Sequence, residues 1–313
     1  MQKLNLKNPG YQYLETAFKE WLDVLGYGSG TVKGMPLIIR EFLHHLEKNQ
    51  VQSINQLQQK NIKSYHQYIS SRANQNRGGG LSNNYINKHL QAIEKFLEFL
   101  THKGTQNVPA LGIRLEKLHR KEINILTTAE IKELFELTSK EPNTEKEQIL
   151  QSRDKAMLTI FYSCGLRRNE GASLSIDDIN FDTRILHVRK GKNYKERLVP
   201  LNKTNAAYLQ EWVYDYRSQL VRDKKEHKLF ISINGEPMTG GALYTRFKLL
   251  QLQSENTQLQ QKNIGLHSLR HSIATHLLQA GMGIEKIAKF LGHSSLESTQ
   301  IYTHLIEKNE QQL

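Results

Sequence analysis

Cysteine is almost absent from this chain. Cys164 is the only one in 313 residues, so no internal disulfide can form and a reducing compartment suits the protein. Set in "FYSCGL", it reads as a small buried hydrophobe. Long apolar runs are missing, and so is a basic amphipathic anchor, so no membrane partner is expected. The opening MQKLNLKNPG lacks the apolar core of a signal peptide, which makes the cytoplasm the expected location. Metal-ligand spacing is wanting as well. His267, His271 and His276 recur at helical spacing, but no glutamate follows the first and there is no cysteine pair, so neither a metal nor another cofactor is expected.

What the chain has in excess is positive charge. Lys and Arg number 43 against 31 Asp and Glu, a formal net charge of +12. Such an excess draws a protein to polyanions, because neutralised phosphates release condensed counterions. The length suffices for two domains with sizeable cores. Composition therefore points to a nucleic-acid-binding protein and goes no further.

Hydrophobic spacing divides the chain. Tyr13, Leu14, Ala17, Phe18, Trp21, Leu22 and Leu25 recur with helical period and stop at "GYGSG". Met35, Ile38, Ile39, Phe42, Leu43 and Leu46 mark a second helix, and Gln56 to Ser71 a third. After "NRGGGLS", Ser82 is placed to N-cap a long fourth helix through Ile86, Leu90, Ile93, Phe96, Leu97 and Leu100. Residues 1–103 are thus expected as an N-terminal four-helix domain. Periodicity fails over 104–124, where Arg114, Lys117, Arg120 and Lys121 sit among Pro and Gly, and this reads as a basic linker. "TTAEI" restarts a helix with Thr127 or Thr128 as cap, opening a second domain over 125–313. That domain is expected to be mainly helical, with two short strands, Ile185–Val188 and Leu198–Leu201, forming a hairpin around a charged tip. Helices are expected near Ala206–Asp223, Leu243–Leu252, Leu266–Gln279, Ile284–Leu291 and Leu296–Leu305.

Four stretches of the second domain carry candidate chemistry. In "CGLRRNEGASL", Arg167 precedes Glu170 by three residues, an ordinary surface pair when taken alone. In "RKGKNYKER", Lys190, Lys192 and Lys195 crowd a turn; such tips are usually just solvated, yet a lysine there can reach into a cleft. In "LHSLRHSIATHLLQAG", Leu266, Leu269, Ile273 and Leu277 make the buried stripe, with His267 and Arg270 together on another edge. In "LGHSSLESTQIYTHL", His293 lies nine residues before Tyr302, which suits a terminal amphipathic helix, the second helix of a helix–turn–helix, or a nucleophile with its helper.

Taken together, the parts form one mechanism. Phosphoryl transfer without a metal needs paired guanidiniums for the non-bridging oxygens, a nucleophile, a base and an acid. Tyrosine can attack phosphorus to give a phosphotyrosyl intermediate. About one phenol in a thousand is ionised at pH 7, so neighbouring cations and a histidine base would assist. The departing deoxyribose hydroxyl is a poor leaving group that an acid such as lysine should protonate. A DNA-binding helix–turn–helix protein would need none of the upstream residues.

The motifs "CGLRRNE", "RKGKNYKERLVPL", "HSLRHSIATHLL" and "LGHSSLESTQIYTH" closely resemble, in order and spacing, those of the tyrosine recombinases of the phage integrase and Xer group. The resemblance implies a SAM-like core-binding domain followed by a catalytic domain, the two closing as a C-shaped clamp on DNA. It implies Arg167 and Arg270 as the phosphate clamp, braced by Glu170, Lys192 as general acid, and His267 as acid/base group. His293 becomes a donor to the phosphate and Tyr302 the nucleophile. It also implies a double-stranded recombination site as partner, a dimer at each site, and a tetrameric synapse that exchanges strands through a Holliday junction; a type IB topoisomerase would share the chemistry without synapsis. A nucleoid-associated location follows from that role. Gly171 departs from the pattern, standing where an aliphatic residue is expected, and Asn193–Tyr194 replaces the usual Gly-containing turn. With so short a stretch before the first helix no arm-binding domain is expected, and the tail after Tyr302 is short for docking on a neighbouring protomer.

Overall fold

The computed structural model describes residues 4–74, 78–117, 123–189, 196–292 and Thr299. The chain divides into two compact units, Met1–Lys121 and Glu122–Leu313.

The first unit is built on four helices: α1 (Pro9–Val24), α2 (Ser29–Lys48), α3 (Gln59–Ser71) and α4 (Asn83–His102). Pro9 begins α1 where its missing N–H costs nothing, and the Asn8 side chain accepts from the N–H groups of Gly10 and Tyr11. Ser82 caps α4 by accepting from Tyr85 N. Phe18 and Leu22 of α1, Phe42 and Leu46 of α2, Ile62 and Tyr65 of α3, and Leu90 and Phe96 of α4 meet in one core. The stripe on α1 differs from the sequence expectation. Tyr13 and Leu25 are exposed, while Tyr11 is buried and donates its hydroxyl to Val51 O at 2.9 Å. The face defined by Tyr11, Phe18 and Leu22 points inward, and Tyr13 lies two residues round the helix from it. Helix α3 also begins later than the spacing suggests, because Ile54–Gln56 forms a separate 3-10 turn.

The stretch read as a linker is fixed to this unit as far as Lys117. Val108, Leu111 and Ile113 lie against its core. Buried Asn87 donates to Glu116 O at 2.9 Å and accepts from Glu116 N at 2.7 Å. A side-chain amide satisfying one residue's backbone on both sides acts as a staple, which periodicity cannot reveal.

In the second unit, α5 (Thr128–Leu137) opens with a capping box: Glu130 N donates to Thr127 Oγ1, and Thr127 N donates to the Glu130 carboxylate at 2.7 Å. Then follow α6 (Glu145–Leu158), a π turn over Thr159–Ser163, and α7 (Arg168–Ser173). Three short strands, β1 (Ile179–Asn180), β2 (Ile185–Val188) and β3 (Arg197–Pro200), form an antiparallel sheet in that order. Helix α8 (Lys203–Glu211) passes through a second π turn, Trp212–Tyr216, into α9 (Arg217–Leu220). Helices α10 (Gly240–Leu252), α11 (Thr257–Gln261), α12 (Leu266–Gln279) and α13 (Ile284–Leu291) complete the described part. Phe161, Leu209, Trp212, Phe230, Leu243, Phe247 and Leu269 are among the buried side chains of its core. None of the described helices is long and apolar enough to cross a membrane.

The register of the hairpin matters for the site. Leu186 faces Val199 and Val188 faces Arg197 on the buried side, while Leu198 is 62% exposed. Strand β3 starts and ends one residue earlier than expected. Side chains alternate with period two, so a strand that buries Val199 also buries Arg197.

The Asn87 staple is testable. Asn87→Ala leaves the Glu116 peptide unpaired and should lower stability by about 1–3 kcal/mol in urea unfolding. It should also speed proteolysis between Gly112 and Lys117. An unchanged cleavage rate there would show that the apolar contacts alone hold the segment.

Candidate active site

Three separated stretches of the second unit converge on the carboxylate of Glu170, and a fourth meets their arginines. The first is the turn into α7. Arg167 stands at the N-cap, and Glu170, at the third helical position, accepts from Arg167 N at 2.9 Å. The same carboxylate accepts from Arg167 Nη1 at 2.7 Å, so backbone and side chain of one residue grip one group. The second stretch is β3, whose buried Arg197 donates Nη2 to Glu170 Oε2 at 2.8 Å and Nη1 to Oε1 at 3.3 Å. The third is α12, from which buried Arg270 brings Nη1 to 3.9 Å from Glu170 Oε2. The fourth is the end of α13, which meets the arginines through backbone carbonyls. Phe290 O accepts from Arg197 Nε at 3.0 Å, Leu291 O from Arg270 Nη2 at 2.8 Å, and Gly292 O from Arg167 Nη2 at 3.2 Å.

Glycines make these approaches possible. Gly165 adopts φ +62°, and its carbonyl accepts from Arg270 Nη1 at 2.6 Å. A Cβ on it would lie 2.9 Å from Leu291 Cδ2, so side-chain bulk would lift α13 away. Gly292 ends α13 in the left-handed region at φ +67°, with Arg197 Cδ 2.9 Å from where its Cβ would be. Gly171, the departure noted in the sequence, is buried, and its missing side chain is replaced by the Phe161 ring, 2.5 Å from a built Cβ. An aliphatic residue is absent there because an aromatic one, ten positions earlier on the π turn, already fills the space.

Charge follows from this geometry. Burial works to raise the pKa of Glu170, but the hydrogen bond and charge of Arg197 and the hydrogen bonds from Arg167 outweigh it and hold the group at about 2. Three guanidiniums around one carboxylate leave an excess of positive charge at the cluster. His267 stands one turn before Arg270 on α12. Surrounding protein and the charges of Arg270, Arg168 and Arg167 lower its pKa, with Glu170 opposing, although one edge stays open to solvent. His271 is pushed down to about 4 by burial and by His267 and Arg270. His276 is turned elsewhere, its Nδ1 2.9 Å from the Tyr162 hydroxyl. Among the described residues no group of three or more His, Cys, Asp or Glu is gathered to hold a metal. Cys164 is buried and its thiol is pushed up to about 12, as fits a small hydrophobe.

Of the residues expected from the sequence, Arg167, Glu170, His267 and Arg270 come together. Lys192, His293 and Tyr302 lie outside the described residues, as do the rival lysines Lys190 and Lys195 and the linker residues Arg120 and Lys121. Gly292, one residue before His293, is the last described residue of its segment. At the base of the hairpin, Arg189 pairs with Asp178 and His187 with Glu196. Arg197 was missed. Its signal was present in "ERLVPL": alternation counted back from buried Val199 puts an arginine on the inner face of a strand, where a lone cation requires a partner.

The phage integrase family matches residues 124–309. Among curated proteins, the tyrosine recombinase XerD of Oceanobacillus iheyensis is 35% identical over 72% of this chain and 73% of its own. The tyrosine recombinase XerC of Mannheimia succiniciproducens is 33% identical over 74% of each chain. XerD of Staphylococcus saprophyticus is 28% identical over 93% of this chain and 95% of its own. Among solved structures, the XerH site-specific recombinase bound to its difH substrate matches with TM-score 0.69 and 22% identity, over 96% of this chain and 83% of that one. The Tn1549 transposon integrase in complex with transposon right-end DNA also has TM-score 0.69, at 18% identity over 92% and 94%.

The Glu170 cluster makes a pH prediction. Its folded pKa lies below the unfolded value, so its contribution to stability is complete above about pH 4.5 and is lost as pH falls towards about 2. Glu170→Gln should be less stable near neutrality and should lack that part of the acid loss. Parallel stability–pH curves for variant and parent would remove Glu170 from the role of charge partner.

Proposed function

Because the chain belongs to the phage integrase family, we propose that Arg167 and Arg270 hold a scissile DNA phosphate for attack by Tyr302. The enzyme is a site-specific recombinase of the tyrosine class. The observation that carries the finer reading is the convergence of Arg167 and Arg270 on one buried carboxylate with His267 beside them. A guanidinium pair presents planar, paired donors to non-bridging oxygens, and the excess positive charge favours the transition state over the ground state.

In the proposed step the Tyr302 phenol loses its proton to His267, and its oxygen forms a bond to phosphorus. The bond from phosphorus to the 5′ oxygen breaks, and Lys192 gives that oxygen a proton. The DNA is left as a 3′-phosphotyrosyl ester with a free 5′ hydroxyl, while His293 donates a hydrogen bond to the phosphate. Attack by a 5′ hydroxyl from a second duplex reverses the step and joins new partners, which requires two protomers at each site and four in a synapse, with a Holliday junction between the two rounds. No metal enters, because arginines and lysine supply the charge and the proton. The +12 net charge supports binding to a DNA recombination site, and Arg114 and Lys117, both exposed at the end of the first unit, are candidates for phosphate contact.

Tyr302→Phe removes one oxygen and should leave DNA affinity within about twofold while abolishing covalent adducts on a nicked suicide substrate. Parent adducts should persist in excess chelator. Adducts formed by the Phe variant would place the nucleophile elsewhere, and loss of parent cleavage that zinc or magnesium restores would sink the metal-free mechanism.

The general acid has its own test. If Lys192 protonates the departing 5′ oxygen, Lys192→Ala should cripple cleavage of ordinary DNA but far less that of a substrate carrying sulfur at the scissile 5′ position, since a thiolate leaves without a proton. Lys190→Ala and Lys195→Ala should show no selective rescue. Rescue of the Lys195 variant alone would move the acid across the hairpin.

A further inference from the structure

We infer that Arg197 is a positioning residue for DNA cleavage, locking the Glu170 carboxylate to the end of α13 so that the clamp arginines are set in register with the last turn of that helix. The inference rests on the recombinase reading above and concerns a residue that reading does not use.

The last carbonyls of a helix have no partner within it and carry the negative end of its dipole. At α13 three of these successive carbonyls are each taken by a different arginine: Phe290 O by Arg197, Leu291 O by Arg270 and Gly292 O by Arg167. The same three side chains turn their other edges to Glu170. Two acceptors, a carboxylate and a helix terminus, thus bracket three cations. Arg197 has the fewest alternative duties of the three. It comes from the buried face of β3, its side chain is only 6% exposed, and it makes the shortest contact to Glu170 Oε2. It reaches Glu170 with Nη1 and Nη2 and Phe290 O with Nε, so the full fork of a guanidinium is engaged.

Its position in the chain adds to the argument. Strand β3 is the return strand of the hairpin whose tip carries Lys192, and Phe290 lies three residues before His293. One planar group therefore ties the strand leading from the proposed acid to the carboxylate under the clamp and to the helix leading to the nucleophile. Gly292 confirms how closely the parts fit, because Arg197 Nη1 would lie 3.0 Å from a Cβ there. The groups facing Glu170 are Arg167 at the start of α7, Arg197 on β3, and Arg270 with His267 on α12. Without Arg197 the carboxylate keeps its burial and loses the largest of the effects that oppose it. It should then take up a proton at higher pH, and a neutral acid holds guanidiniums poorly.

The test is single-turnover cleavage of a suicide substrate by the full chain, with DNA affinity and urea unfolding measured alongside. Arg197→Met should cut the saturating rate by about 10- to 100-fold, as expected for small misplacement of reacting groups, while affinity changes by less than about threefold. Beyond the fall that protonation of the base His267 gives to parent and variant alike, the variant's rate should show an extra acid dependence between about pH 8 and about 5. Adding Glu170→Gln to Arg197→Met should abolish that acid dependence, which a merely structural defect would not do. Arg197→Lys keeps the charge without the fork and should recover only part of the rate; if the Met variant does not fold, the Lys variant with and without Glu170→Gln carries the same comparison. Parental rates in these variants overturn the inference, as does a loss matched by weaker DNA binding with an unchanged pH profile. A parent that forms no covalent adduct would instead overturn the recombinase reading, so the two failures are distinct.

Discussion

The second unit is organised around the burial of one negative charge among three positive ones. Taking Glu170 out of water is costly, and each arginine beside it would be costly alone. Together they satisfy one another, and the arginines outweigh burial enough to hold the carboxylate at about 2. A second buried acid in the same unit shows that this outcome is not automatic. Asp154 on α6 is paired by Arg246 and neighboured by Arg153, yet burial prevails there and its pKa is raised. Glu170 differs in being less deeply buried than Asp154 and in taking hydrogen bonds from two residues, one of which supplies a backbone N–H as well as a guanidinium.

That requirement propagates into the backbone. Guanidiniums that must reach both a carboxylate and a helix terminus demand close approach of α7, α12, α13 and β3. Side chains at the contact points would hold these elements apart. Hence Gly165 under α13, Gly292 against Arg197 and Gly171 against Phe161, each a place where a methyl group would meet an atom already present. The π turn at Thr159–Ser163 belongs to the same constraint, since it presents Phe161 to Gly171 and leads through Cys164 to the Gly165 carbonyl that Arg270 takes.

Much of this was legible in the sequence, for identifiable reasons. Helices α2 and α4 were marked by apolar residues at helical spacing, the start of α4 by Ser82 and that of α5 by Thr127 with Glu130. The boundaries of α12 and α13 were correct because Gly265 and Gly292 stand at their ends. Arg167, Glu170, His267 and Arg270, singled out by their motifs, lie together in the structure. Helix α6 was invisible because its buried face includes Ser152, Arg153 and Asp154, so no apolar stripe announces it. The packing of residues 104–117 on the first unit left no mark in the sequence, because Asn87 fixes the chain at Glu116 through amide hydrogen bonds, and a polar staple leaves no hydrophobic period. Arg197 was overlooked for a related reason: in a strand of four residues the inward side is decided by alternation, and a charge there is easily read as solvated.

The three-way bracket also bears on how catalytic charge is prepared. Free arginines at a DNA surface would each lose rotamer freedom on gripping a phosphate, at a cost of roughly 2 kcal/mol for a fully fixed side chain. In this unit the acceptors that fix Arg167 and Arg270 belong to the protein, so the ordering is completed on folding and not on binding. Those acceptors are weaker competitors than they look. One is a single carboxylate shared among three cations, and the others are helix carbonyls carrying partial charge. Under the proposed mechanism a phosphodiester arriving at the cluster would meet oriented cations whose charge is only partly neutralised, the condition under which electrostatic stabilisation of a transition state needs the least reorganisation.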